Sequence, residues 1–348
     1  MEITDSKAPS FEQLRPLKSL TTSHFPVYPN LVDLLVGQRE HPDDTVAHAM
    51  ATCAGYAYSA PDTVAMIMAR MGLAENTCHT IAETVDAMFI ESTAFLVQSQ
   101  DGRVVILAYR GTQPANFINW LTDADVHPEE VAIRLPGTDG AFDVHAGFYR
   151  NVRATRYEVV NALVRALNGQ SVQSEATPVP HPLEALYVTG HSLGGAMAAL
   201  MGVMLVTEEA YAPIAEKLRA VYTFGQPMIG SPELAAACND HDFLGTKMLR
   251  YIYRRDVVPH LPPMISGSFA HFGREFAYSG VWPWTVNERP TGQMGSLLGL
   301  VEAPVAFIAR QLRVIREIPF RYSFNDHGPQ HYISSLTAPG VASEFGDP

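Results

Sequence analysis

Only three cysteines occur in 348 residues: Cys53, Cys78 and Cys238. The number is small and odd, so no disulfide framework holds the chain and one bridge is the maximum. None stands in a CxxC pair or at zinc-ligand spacing with histidine, which argues against a metal centre built on them. Positive charge is the second scarcity, with 24 Lys and Arg against 36 Asp and Glu and a formal charge of −12. An acidic balance of that size disfavours a nucleic-acid partner and gives no electrostatic attraction to anionic lipid. The N-terminus, "MEITDSKAPSFEQLRPLKSL", lacks the positive charge and the apolar core of a secretory signal, and carries Glu2 and Asp5 instead. The expectation is a cytoplasmic protein, although a trimmed or leaderless secreted form would begin in the same way.

What remains has the composition of an ordinary globular chain, 47% hydrophobic and 17% charged, without repeats or low-complexity bias. Residues 1 to about 45 are polar and proline-rich and read as an irregular N-terminal arm. Helical spacing follows at about 45–59 and 61–72. "TAFLVQSQDGRVVILAYRG" is two β-rich runs around Ser-Gln-Asp-Gly, a hairpin signal. From 151 to 168 Tyr157, Val160, Leu163, Val164 and Leu167 keep helical spacing until Gly169. Beyond the loop "QSVQSEATPVPHP" the pattern alternates: strand "ALYVTG", helix 192–209, strand "AVYTFGQP", helix 231–238, strand "KMLRYIYRRD". Such alternation predicts an α/β domain whose mostly parallel central sheet is flanked by helices on both faces. No linker divides residues 46–348, which are expected to form one domain.

One long uncharged run exists, "ALYVTGHSLGGAMAALMGVMLV", residues 185–206. Its 22 residues could cross a bilayer by length alone. A membrane helix, however, would place Thr189, Gly190, His191, Ser192, Gly194 and Gly195 at mid-bilayer. The pattern also changes at that point, from a short buried-strand run to a run of good helix formers. Strand and helix joined by Gly-x-Ser-x-Gly is the context of a nucleophile elbow. The turn lifts Ser192 Oγ clear of the sheet by straining Ser192 itself, and side chains at 190 and 194 would collide with neighbouring backbone. N–H groups at Leu193 and beyond, at the start of the helix, are placed to stabilise an oxyanion.

A serine nucleophile needs a base, and the base an orienting carboxylate. Asp256 ends the strand in "MLRYIYRRDVVPHLPP", and "SFNDHGPQHYISSL" offers His327 and His331.

Five separated motifs give the chain a resemblance to the class 3 (fungal-type) lipases, members of the α/β-hydrolase superfamily, over roughly residues 48 to 336. "AYRGT" (108–112) resembles their oxyanion strand end, and "VHAGFYR" (144–150) their Val-His-x-Gly-Phe segment. "VTGHSLGGAMAAL" is similar to their elbow, "YTFGQPMIG" to their Thr-Phe-Gly-x-Pro strand, and "RRDVVPHLPP" to the stretch carrying their aspartate. The resemblance implies an α/β-hydrolase fold with Ser192 as nucleophile, Asp256 as orienting acid and His327 as general base. His327 is preferred over His331 because "DHGPQHYI" resembles the family's Asp-His-x-x-x-x-Tyr pattern. Backbone N–H groups of Thr112 and Leu193 would form the oxyanion hole, while His191 and His145 read as structural hydrogen-bonders. "QPANFINWLTDADV" stands where the family's lid would be, with Phe117, Ile118, Trp120 and Leu121 as its apolar residues; packing onto the body is the alternative. The implied activity is serine-dependent hydrolysis of carboxylic esters, acylglycerols foremost, with a carboxylesterase or feruloyl-type esterase as the alternative. A transient lipid-interface contact is expected, and neither metal, organic cofactor nor transmembrane segment is implied.

One departure from the family is an insertion-like segment, about 264–318, expected to be helical. Val305, Ile308, Leu312 and Ile315 form a stripe there that reads either as an interfacial anchor or substrate cap or as a helix packed on the body. The lack of a secretory signal and of a disulfide set is the other.

Overall fold

The computed structural model describes residues 26–37, 42–85, 90–112, 128–135, 138, 140–288, 290–294 and 323–337. Its centre is a sheet of β1 (Thr77–Val85), β2 (Ile90–Gln98), β3 (Val104–Tyr109), β6 (Ala185–His191), β7 (Leu218–Phe224), β8 (Met248–Tyr253), β9 (Arg274–Tyr278) and β10 (Thr285–Val286), side by side in that order. From β3 to β9 neighbours run parallel, and the outer pairs are antiparallel. A separate hairpin joins β4 (Pro128–Ala132) to β5 (Ala141–His145). The Ser-Gln-Asp-Gly turn forms between β2 and β3 as its residues dictate. Ser99 Oγ donates to Asp101 at 2.6 Å, and Gly102 takes the left-handed φ of 87°.

The parallel strands are apolar throughout rather than alternating because both faces are covered. Along β3, Val105, Leu107 and Tyr109 enter one core and Val104, Ile106 and Ala108 the other. The first core is roofed by α4 (Ala146–Leu167) and α5 (Leu193–Thr207). The second is roofed by α1 (Leu31–Val36), α2 (Asp44–Tyr56), α3 (Pro61–Met71) and the late helix Pro329–Leu336. Residues 185–206 are thus a central strand and a helix buried on every side through Leu205. Among the described residues no single helix is long and apolar enough to cross a membrane. Small residues let α5 lie close to the sheet: a Cβ at Gly202 would stand 2.8 Å from Val221 Cγ2.

Two expectations about organisation need correction. The N-terminal arm is not irregular throughout, since "LVDLLV" forms α1. Leu31 and Leu35, one turn apart, are fully buried on the second core, and Tyr187 Oη donates to the Leu35 oxygen at 2.9 Å. Nor is the first half of the 264–318 segment helical in the main. "REFAY" joins the sheet as β9, where Phe276 and Tyr278 pack in the second core, and Thr285–Val286 adds β10. The stripe Val305, Ile308, Leu312 and Ile315 lies outside the described residues.

A buried ion pair fastens that segment in addition to its apolar contacts. Arg250 on β8 and Glu275 on β9 are register partners, both buried, with Nη2 and Oε2 3.0 Å apart. Glu275 also accepts from Asn287 Nδ2 at 2.6 Å and from Thr291 N and Oγ1 at 2.9 Å, so one carboxylate latches the chain beyond β10 to the sheet. Glu275→Ala leaves a buried guanidinium without its counter-charge. It should lower unfolding free energy by about 3–5 kcal/mol, read as a reduced urea midpoint; a loss under about 1 kcal/mol would show that the pair is not a latch.

Candidate active site

The bend between β6 and α5 places Ser192 at φ 60°, ψ −130°, a left-handed conformation that costs a non-glycine residue about 1–3 kcal/mol. Its neighbours explain how the strain is held. A Cβ on Gly190 would stand 2.1 Å from the Gly194 oxygen, and one on Gly194 would stand 2.2 Å from the Tyr109 oxygen. The two arms of the bend and the end of β3 are therefore pressed together to a distance that only glycine permits. Ser192 N donates to the Phe224 oxygen at 2.9 Å, tying the bend to the end of β7. Leu193 is the first residue of α5, where N–H groups have no partner within the helix. The end of β3 arrives beside them: Tyr109 pairs with Gly190, and a Cβ on Gly111 would stand 2.6 Å from the His191 oxygen. Thr112 follows at once, half-buried.

Beyond β8 the chain turns through Arg254, at φ 46°, into Asp256, which is fully buried. Asp256 Oδ1 accepts from Val258 N at 2.9 Å, and Oδ2 accepts from His327 Nδ1 at 2.8 Å. Ser323 N donates to the Arg255 oxygen at 2.7 Å, bringing the histidine loop alongside. A Cβ on Gly225, the residue after Phe224, would touch Asp256 Oδ2 at 2.7 Å and His327 Cε1 at 2.9 Å. The end of β7 therefore holds both Ser192 and the Asp256–His327 pair. Ser192 Oγ, which the Tyr58 hydroxyl also approaches, and His327 Nε2 are both buried. His331 does not meet the carboxylate; its ring stacks on Tyr253 at 5.0 Å, and burial lowers its pKa.

Two tyrosines stand in this site without having been singled out in the sequence. Tyr332 Oη donates to Asp256 Oδ2 at 2.5 Å and accepts from Tyr253 N at 3.2 Å. Burial, then the charge of Asp256, raises its pKa well above the ordinary phenol value, so it remains a donor. The tyrosine of the Asp-His-x-x-x-x-Tyr pattern was the available signal. Tyr58 reaches His191 Nδ1 at 2.9 Å, and His191 Nε2 lies 2.6 Å from the His327 oxygen. No local pattern in the sequence pointed to Tyr58. His145 caps α4 through Phe148 N and stacks on Phe148 at 3.9 Å, its pKa pushed down to about 3 by burial.

The candidate lid residues Phe117, Ile118, Trp120 and Leu121 lie outside the described residues. Among those described, no group of three or more His, Cys, Asp or Glu is gathered for a metal, and none of the three cysteines is bridged. The arrangement joins a hydroxyl on a strained turn, an imidazole steadied by a carboxylate, and nearby backbone donors. Those are the parts of an acyl-transfer site.

Residues 106–266 match the family model "Lipase (class 3)". The chain is 31% identical over 206 residues to a lipase of Rhizomucor miehei, covering 59% of this chain and 50% of that protein. It is 27% identical over 239 residues to triacylglycerol lipase OBL1 of Ricinus communis, covering 59% and 44%. The chain thus matches about half the length of these curated relatives. Among solved structures it resembles the R. miehei lipase propeptide complex, with a TM-score of 0.55 at 21% identity, covering 92% of this chain and 90% of that one. Lipase II from Rhizopus niveus gives the same score and identity, covering 82% and 92%. At such identity the likeness is one of fold, and that fold is the α/β-hydrolase fold.

The packing of the bend yields a test. Gly190→Ala forces the backbone apart beneath Ser192 and should slow covalent labelling of Ser192 by a phosphonate ester about 100-fold. Gly202→Ala, which crowds only a Val221 methyl in the core, should leave the labelling rate of folded protein within about 2-fold. Equal rates for wild type and Gly190→Ala would show that the bend does not set serine reactivity.

Proposed function

On the premise that this chain belongs to the class 3 lipase family through residues 106–266, we propose that it hydrolyses carboxylic esters, acylglycerols foremost, through an acyl-enzyme on Ser192. One observation carries the reading: the strained Ser192 and the buried Asp256–His327 pair are both held by the end of β7.

Nδ1 of His327 faces the Asp256 carboxylate, so it carries the ring proton and Nε2 is the basic atom. In the proposed reaction Nε2 takes the Ser192 proton as Oγ attacks the ester carbonyl. Asp256, its oxygens accepting from Val258 N and Tyr332 Oη, stabilises the imidazolium. The N–H groups of Thr112 and Leu193 receive the developing oxyanion, each such donor contributing about 2.7–4 kcal/mol. His327 then protonates the departing alcohol. Water repeats the sequence on the acyl-enzyme and releases the carboxylic acid.

Relatives named lipase and triacylglycerol lipase favour an acylglycerol as the ester. A soluble-ester esterase would use the same residues. Rates across p-nitrophenyl esters of rising chain length, below and above substrate saturation, separate the two. A lipase should favour long chains and accelerate once the substrate forms an interface; an optimum at acetate with no such acceleration would favour the esterase.

Ser192→Ala should abolish ester turnover by at least about ten-thousand-fold, with the thermal midpoint retained. Asp256→Asn should fall about as far, because the amide favours the wrong tautomer of His327. Full turnover in Ser192→Ala would end the assignment.

A further inference from the structure

Between the bend and the loop carrying His327 lies a contact that the acyl-transfer steps leave unused. His191 Nε2 stands 2.6 Å from the main-chain oxygen of His327. A carbonyl oxygen only accepts, so Nε2 carries the proton. Burial, and then the neighbouring His327, hold the His191 pKa well below the ordinary histidine value, so the ring is neutral and Nδ1 is an acceptor. Tyr58 Oη, 2.9 Å away, therefore donates to it. Each bond has a single allowed direction, from the Tyr58 hydroxyl to His191 and from His191 to the His327 carbonyl. The phenol also lies flush against the end of β3, since a Cβ on Gly111 would stand 2.2 Å from Tyr58 Oη.

We propose that Tyr58 and His191 are positioning residues that fix the main chain of His327, and with it the basic imidazole, relative to Ser192 and the Thr112 strand end. The inference rests on the acyl-enzyme reading. Asp256 holds the His327 side chain at one atom, Nδ1, which leaves the backbone of its loop to be fixed separately. A second hold at the carbonyl sets the height of the ring above the bend. Proton transfer needs that precision, because a displacement of about 1 Å costs on the order of 100-fold in rate. The requirement is for a neutral donor. The His191 and His327 ring centroids are 4.5 Å apart, and a cation at 191 would oppose the imidazolium that forms at His327 in each half-reaction.

The test compares Tyr58→Phe, His191→Leu and His191→Gln with wild type on p-nitrophenyl butyrate. The kcat is expressed per serine labelled to completion by a phosphonate ester, with KM and the thermal midpoint measured alongside. Tyr58→Phe should lower kcat per labelled serine about 10-fold and His191→Leu about 100-fold, with KM within about 2-fold. His191→Gln, which restores an N–H donor toward the His327 carbonyl, should return to within about 5-fold of wild type. If His191→Leu fails to fold, His191→Met, which keeps the bulk and removes the donor toward the His327 carbonyl, decides the matter, because the Tyr58 hydroxyl also approaches Ser192. Variants in which fewer molecules are labelled while each labelled site turns over at the wild-type rate would overturn the inference and leave Tyr58 and His191 as parts of the core. Wild-type protein that no phosphonate labels would overturn the acyl-enzyme reading, a failure distinct from equal rates among labelled variants.

Discussion

Strand and helix meet at Ser192 with no connecting loop, and the site is organised around how tightly they meet. A Cβ at 190 or 194 would stand little more than 2 Å from backbone oxygen, so the bend closes only with glycine at both places. That closeness fixes where the serine hydroxyl stands and orients the first N–H groups of α5. It also brings the end of β3, and with it Thr112, against the same point. The left-handed backbone of Ser192 costs about 1–3 kcal/mol, held by a strand and a helix that are both fully buried. Strain on a single residue is maintained by two cores that would each have to open to relieve it.

The remaining groups come from distant sequence and are fixed by polar contacts rather than by the bend. Asp256 and His327 are 71 positions apart, and Tyr332 and Tyr58 are 76 and 133 positions from the residues they contact. Burial makes each of these bonds directional. Tyr332 is held protonated and His191 neutral, so the donor and acceptor at every step are determined. A buried carboxylate is tolerable only where its oxygens are occupied, and Asp256 accepts from Val258 N, His327 Nδ1 and Tyr332 Oη. Glu275 follows the same rule further along the sheet, where it serves the fold rather than the chemistry.

The readable parts of the sequence were those whose signal is local. The central strands announce themselves because covered faces demand continuous apolar runs, and the bend because glycine is required at fixed offsets from Ser192. Helix α1 escaped notice since six residues are too few for a periodic pattern, and only its burial on Tyr187 and the second core explains it. "REFAY" escaped for a related reason. Only the two residues of β10 cover its outer side, Arg274 stays half-buried, and the charge of Glu275 within the strand is met by Arg250 across the ladder. Tyr58 falls at the end of the 45–59 helical pattern, where nothing local sets it apart. Its partner at His191 exists only after the chain has folded. Local physics thus reveals the strained serine, while the contacts around Asp256 and His327 are tertiary.

The central claim is geometric: one bend presents the Ser192 hydroxyl to the His327 imidazole on one side and to the Thr112 and Leu193 amides on the other. A crystal structure of the protein inactivated by a phosphonate ester measures this most directly. The account predicts phosphorus bonded to Ser192 Oγ, with a phosphonyl oxygen about 2.7–3.1 Å from both amide nitrogens. It also predicts His327 Nε2 within hydrogen-bond reach of Ser192 Oγ or of a phosphonate oxygen. Phosphorus on any other residue, or a phosphonyl oxygen turned away from both amides with Nε2 beyond about 4 Å of both partners, would contradict it.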